Sequence, residues 1–171
     1  MPANPAASND YEIVTNHHFA ETRRDKVTLQ QTLFALKSFR KDEIISPFGA
    51  AFVSDKPSYL TVQTGNKEHI ALHPYFLQHI NHGCNPNCFF DTTLMQVIAL
   101  RDIDAGEEFT FFYPSTEWEM ASPFQCYCNQ PQCIGLIRGA AHIPTEILSR
   151  YRLSDFIRRK LAYRQRKLKK V

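Results

Sequence analysis

Ile80-Asn81-His82-Gly83-Cys84-Asn85-Pro86-Asn87 is the stretch from which the chain is best read. It packs asparagine amides, a histidine, a thiol and a proline-locked turn into eight residues, and no other stretch is so dense in chemistry. Downstream, Gly106-Glu107-Glu108-Phe109-Thr110-Phe111-Phe112-Tyr113 reads as a short buried strand that ends in a phenol. Further on, Cys126, Cys128 and Cys133 form a C-x-C-x4-C group. Three thiols do not complete a tetrahedral zinc site, so this spacing asks for a fourth ligand from elsewhere in the chain.

Length and composition limit what surrounds these segments. The chain has 171 residues, about one domain, and is large enough to bury a core without disulfides. Its 43% hydrophobic and 22% charged residues exclude a fibre or a wholly disordered chain. No apolar run approaches the roughly 18 residues of a membrane span, and Met1 to Asp10 lacks the charged-then-apolar pattern of a signal peptide. We therefore expect a soluble intracellular protein, cytoplasmic or nuclear, without a membrane partner. Five cysteines, grouped as they are, suit thiolates on a metal in a reducing compartment better than a secreted disulfide framework.

The net charge of +3 is unevenly spread: residues 150–171 carry ten Lys/Arg against Asp155 alone, a net +9, which leaves −6 for the rest. An acidic body suits a basic peptide substrate, and a basic tail suits nucleic acid or an acidic partner. A solvated helix face would show the same tail composition.

Taken in order, residues 1–10 are small, polar and proline-containing, and are expected to form a disordered lead. Tyr11–Val14 and Val27–Leu36 read as strands separated by the charged stretch Glu21–Lys26. Glu43–Gly49 is another short strand, and Tyr59–Gln63 and Glu68–Leu72 flank a hairpin turn at Thr64–Lys67. Pro74–His79 supplies one helical turn, Cys88–Asp91 and Leu94–Leu100 a second hairpin, and Asp104–Glu107 a turn into the aromatic strand. Helix is expected only late, where Pro144 opens a segment with Ile147, Leu148, Tyr151, Phe156, Ile157, Leu161 and Leu168 at roughly helical intervals. Many short strands with so little helix predict a mainly β fold.

The Asn-His turn, the aromatic strand and the cysteine cluster, in that order, resemble the SET-domain lysine methyltransferases with a post-SET zinc motif. The resemblance covers roughly residues 27–139. It implies a β-fold of several small sheets with a threaded C-terminal segment, a zinc loop and a C-terminal helix. Its expected parts are the lead at 1–10, the SET domain at 11–121, the post-SET motif at 122–139 and a basic helical tail at 140–171.

The implied activity is transfer of a methyl group from S-adenosylmethionine to a lysine side chain of a histone or other basic protein. On the resemblance, Cys84 joins Cys126, Cys128 and Cys133 on a structural zinc, with Gly135 completing the motif, while Cys88 packs in a strand. Asn81, His82, Leu33 and Phe34 are implied to hold the cofactor, with Tyr127 stacking on its adenine. Tyr113 takes the place of the catalytic tyrosine, whose hydroxyl positions the lysine amine and also borders the cofactor. Phe111 and Phe112 are expected to line the substrate channel. In-line transfer needs a neutral amine, and free lysine has a pKa of about 10.4. Desolvation beside a cationic sulfonium disfavours the ammonium form, so the site can work without a strong base.

The chain departs from the family pattern at several positions. Gln30-Gln31-Thr32-Leu33-Phe34-Ala35 stands where a Gly-x-Gly-x-Phe-Ala stretch is usual, and Gly83, Gln78 and Phe112 replace the usual Ser, Arg and Asp. A rival reading follows from Gln30 and Thr32: a zinc-stapled SET scaffold that has lost methyl transfer and serves as an interaction module with a basic tail. A plain nucleic-acid binder is disfavoured by the acidic body.

Overall fold

The computed structural model describes residues 10–168, so all but Asp10 of the expected lead at 1–10, and the last three residues, lie outside the described residues. The protein is mainly β, built of several small sheets with few helices. Strands β1 (Tyr11–His17), β2 (Ala20–Asp25) and β3 (Gln31–Ala35) form an antiparallel sheet in that order. Strand β2 corrects the sequence reading, which took Glu21–Lys26 as a separator. Its charges are tolerated because Arg23 bonds Glu21 at 2.6 Å and its guanidinium lies 4.1 Å over the Phe34 ring. The strand ends where Asp25 Oδ1 accepts the Val27 and Thr28 amides at 2.9 and 2.8 Å, an Asx-type turn.

Strand β4 (Ile44–Pro47) is followed by β5 (Gly49–Ser54), β6 (Thr61–Gly65) and β7 (Glu68–His73), the last three forming a sheet in the order β5-β7-β6. The β6–β7 hairpin is where the Thr64–Lys67 signal puts it. Strand β5 had no such signal: as an edge strand exposed along its middle four residues, it shows no alternation of apolar and polar positions.

The third sheet contains the fold-deciding stretch. A 3-10 turn at Tyr75–His79 leads into β8 (Asn81–His82), and β9 (Cys88–Asp91) and β10 (Gln96–Ala99) form the second hairpin. Strand β11 (Thr110–Phe111) completes the order β4-β10-β9-β11-β8. Thus β11 lies between β8 and β9, parallel to both, although those two are already joined through residues 83–87. The C-terminal segment is in this sense threaded beside the Asn-His loop. Asn87 makes the passage possible: fully buried, its side chain accepts the Thr110 N–H and donates to the Glu108 carbonyl, each at 2.8 Å, as a neighbouring strand would.

The main core, with Leu33, Phe39, Leu77, Ile80, Phe90, Val97, Ile103, Phe109 and Phe111, lies among these sheets. After a 3-10 turn at Tyr113–Ser115, β12 (Phe124–Gln125) and β13 (Leu136–Ile137) pair as a small hairpin around the cysteines. Helix follows in two pieces, α1 (Thr145–Leu148) and α2 (Asp155–Leu168). The helical segment expected from Pro144 is therefore interrupted, and its longer helix begins at Asp155, where the Ser154 hydroxyl accepts the Ile157 amide at 3.3 Å and restarts the helix. Phe156, Ile157 and Leu161 of α2 pack with Phe112, Leu148 and Leu153 into a second core, so this segment is part of the folded body. Lys160 and Arg164, two of its cations, lie over the Trp118 ring. No helix among the described residues is long and apolar enough to cross a membrane.

Candidate functional site

Threading of β11 brings the Asn-His turn and the catalytic-tyrosine candidate together. Thr110 pairs with Asn81 and Phe111 with His82, and the chain then turns sharply at Tyr113. The strand is shorter than the sequence reading held, and Tyr113 opens a 3-10 turn instead of ending a strand. Its N–H faces His82 Nδ1 and its hydroxyl faces the Ile80 carbonyl, both at 3.4 Å. The ring packs against Phe111 at 4.7 Å and against His82 at 5.3 Å. Burial, and then the nearby Glu108 charge, hold the phenol above its ordinary range, so Tyr113 is a neutral hydrogen-bonding group at neutral pH.

His82 is neutral as well, since burial lowers it to about 4. With Nδ1 accepting from Tyr113, the ring proton falls on Nε2, which points at Cys84 Sγ 3.3 Å away. One imidazole thereby joins the tyrosine turn to the cysteine cluster.

Asn81 is more tightly engaged than its sequence reading foresaw. Its amide donates to Thr32 Oγ1 at 2.8 Å, with Glu108 Oε1 and the Gln31 carbonyl at 3.3 and 3.4 Å. Thr32, at a usual glycine position, thus holds the asparagine. Phe34 is buried between Arg23 and the edge of the Tyr11 ring, which lies 5.2 Å away. Leu33 points the other way, into the main core at 0% exposure, and its carbonyl accepts the Phe109 N–H at 2.8 Å. Its side chain is turned away from the surface on which Asn81 lies, so only its backbone could border a cofactor. Phe112, expected beside the substrate channel, is 2% exposed within the second core and stacks on Tyr151. Phe111 packs on Phe90 at 4.6 Å beneath Tyr113.

The four predicted cysteines converge. Their Sγ atoms lie within 4.8 Å of one another, with Cys84 and Cys126 at 3.9 Å, and this group could hold a metal ion. Thiolates about 2.3 Å from a tetrahedral zinc stand about 3.8 Å apart, so both donor type and spacing suit zinc. Without a cation, burial pushes the Cys84 thiol well up and Cys126 to about 11. A divalent ion reverses that preference. The β12–β13 hairpin frames the cluster through the Cys126 N–H, which donates to the Gly135 carbonyl at 2.8 Å. Cys88 is buried in β9 and directs its thiol to the Thr110 carbonyl at 3.2 Å, apart from the cluster. Tyr127 is 58% exposed on the cysteine loop and keeps a ring face available.

Sequence reasoning assigned no site role to Asn87, Glu108, Glu117 or Tyr151. Glu117 is buried; its Oε1 accepts the Gln63 N–H at 2.8 Å and the Thr116 hydroxyl at 3.1 Å, and burial raises its pKa to about 7. Spacing gives no hint of these residues because their partners lie far along the chain.

Comparison with known proteins agrees with this architecture. The profile of the SET domain matches residues 30–114. The chain is 40% identical over 124 residues to Methyltransferase flvH of Aspergillus flavus, covering 71% of this chain and 69% of that protein. It is 45% identical over 65 residues to a histone-lysine N-methyltransferase, H3 lysine-36 specific, of Aspergillus oryzae, covering 34% of this chain but 7% of that protein. With its counterpart in Kluyveromyces lactis the identity is 33% over 87 residues, covering 47% of this chain and 12% of that protein. The chain belongs to the SET-domain family, and its relatives are methyltransferases.

Proposed function

We propose that the chain transfers a methyl group from S-adenosylmethionine to the side-chain amine of a lysine in a basic, histone-like protein, in the nucleus or cytoplasm. The observation that carries this reading is the neutral, half-buried Tyr113 hydroxyl, set on Phe111 immediately after the strand that pairs with Asn81–His82. The H3 lysine-36 specificity of two of the relatives supports a lysine substrate.

The cofactor supplies the electrophilic methyl. Asn81, His82 and Phe34 would border it, with Tyr127 able to fold a ring over it, and the polar set of amide, imidazole and the Glu108 carboxylate suits a nucleoside bearing an amino acid. Tyr113 and the Ile80 carbonyl hold and orient the incoming amine. Burial and the aromatic rings around Tyr113 exclude water and favour the uncharged nucleophile. Cys84, Cys126, Cys128 and Cys133 would bind the zinc that fixes the C-terminal loop beside the site. The exposed cations of α2, among them Arg159 and Arg166, are available to nucleic acid or an acidic partner.

Calorimetric titration with S-adenosylmethionine, followed by methylation of a histone-tail peptide and mass-spectrometric location of the added methyl, tests this reading. One saturable site per chain and a methyl on lysine are expected. No cofactor binding leaves the scaffold reading, in which Gln30 and Thr32 have closed the site, and a methyl on another group refutes the lysine assignment.

A further inference from the structure

We propose that Tyr151 is a positioning residue, which ties the segment beyond the matched SET domain to both Cys84 and the Tyr113 turn. Its ring stacks on Phe112 with centroids 3.7 Å apart and planes 5° from parallel. Its hydroxyl donates to the Cys84 carbonyl at 2.9 Å. One side chain thus touches the residue before Tyr113 and the backbone of a cysteine in the metal-type cluster. Three residues on, the Ser154 N–H donates to the Ser115 carbonyl at 2.9 Å and holds the chain two residues after Tyr113.

Magnitudes say which contacts set the place of Tyr113. On the side of the Asn-His turn Tyr113 itself is held by two contacts of 3.4 Å, at the weak limit of a hydrogen bond, while the Gly83 N–H holds the Phe111 carbonyl at 3.0 Å. Behind it are two bonds of 2.9 Å and a parallel stack. The tyrosine turn is therefore held from both sides, and displacement of residues 151–154 removes the C-terminal support, moving the turn and loosening the Cys84 loop together. This also accounts for Phe112: at 2% exposure its ring needs an apolar cover, and Tyr151 with the second core supplies it.

The catalytic half of the inference rests on the methyltransferase reading, whereas the metal half does not. Tyr151→Phe keeps the stack and removes the bond to Cys84; Tyr151→Leu removes both; Leu161→Ala weakens the same core away from either contact. Zinc release to a chelator, kcat and KM for S-adenosylmethionine, and the melting temperature are measured for all four proteins. Tyr151→Phe should lose zinc about tenfold faster. Tyr151→Leu should in addition lower kcat about tenfold or more, with KM for the cofactor little changed. Leu161→Ala should only melt earlier. Tyr151 variants that melt earlier but keep wild-type zinc release and kcat overturn the proposal, as does a wild-type protein that holds no zinc. A wild-type protein that holds zinc but transfers no methyl removes the function proposed above, and zinc release from Tyr151→Phe then decides for or against this inference.

Discussion

Thr110 fills the space that a side chain at position 83 would need: a Cβ on Gly83 would stand 2.8 Å from Thr110 Oγ1 and 2.9 Å from Thr110 Cβ. The glycine, which departs from the usual serine, is what lets β11 lie close beside the Asn-His loop, where the Gly83 N–H donates to the Phe111 carbonyl at 3.0 Å. Thr110 is β-branched and held in a strand, so it cannot swing aside. Gly83→Ala is expected to destabilise the fold by about 1–3 kcal/mol through overpacking. Urea unfolding measures it, and a midpoint equal to wild type would refute the close approach.

One zinc per chain is expected in protein purified without chelator, because four thiols are already gathered at metal-binding distances. Elemental analysis of wild type and Cys84→Ser checks the ligand set. The variant should lose most of its zinc, whereas Cys88→Ser should keep it, since that thiol lies apart from the cluster. Chelation should loosen the β12–β13 hairpin before the main core, because metal binding and local folding are coupled there.

Tyr113→Phe should leave fold and cofactor affinity nearly unchanged and slow methyl transfer by about 10- to 1000-fold. The ring still packs on Phe111, and only the hydroxyl that orients the amine is lost. Single-turnover methylation at saturating cofactor reads the effect, and wild-type rates in the variant would make Tyr113 structural.

Stability should fall as pH rises from about 4.5 to about 7 through Glu117, whose folded pKa is raised from 4.5 to about 7 by burial. The folded state then binds more protons than the unfolded state across that window. The contribution of the neutral carboxyl is complete below 4.5 and is lost as pH climbs through 7, a change on the order of 3 kcal/mol. Glu117→Gln keeps an oxygen for the Gln63 N–H and should flatten the profile between those values. Equal slopes for the two proteins in denaturant titrations at pH 5 and 7.5 would falsify this role.

Deleting residues 150–171 should unfold the protein and not merely remove a charged tail. Leu153, Phe156, Ile157 and Leu161 are buried, at about 1.5–3 kcal/mol each, which together rivals the whole stability of a small domain. Circular dichroism of the truncated chain reads the outcome. The charge-dependent binding proposed for this segment is better tested by Arg159→Glu with Arg166→Glu, two exposed sites, and the loss should shrink at high salt.

By itself the sequence determined the β-rich character, both hairpins, the family resemblance and which cysteines to watch. These depend on local alternation, turn residues and ligand spacing, all of which are written within a few residues of one another. It misread Glu21–Lys26 because local charge argues against a strand, whereas an ion pair to Glu21 and an aromatic face across the sheet stabilise one. Only the tertiary structure decided that Leu33 and Phe112 face cores and that the basic tail covers the second of them. The meeting of Cys84 with the three later thiols and the bonds from Asn87, Glu117 and Tyr151 join positions 21 to 67 residues apart. Such contacts form when β11 threads between β8 and β9 and when α2 folds back on the body, so no short window of sequence records them.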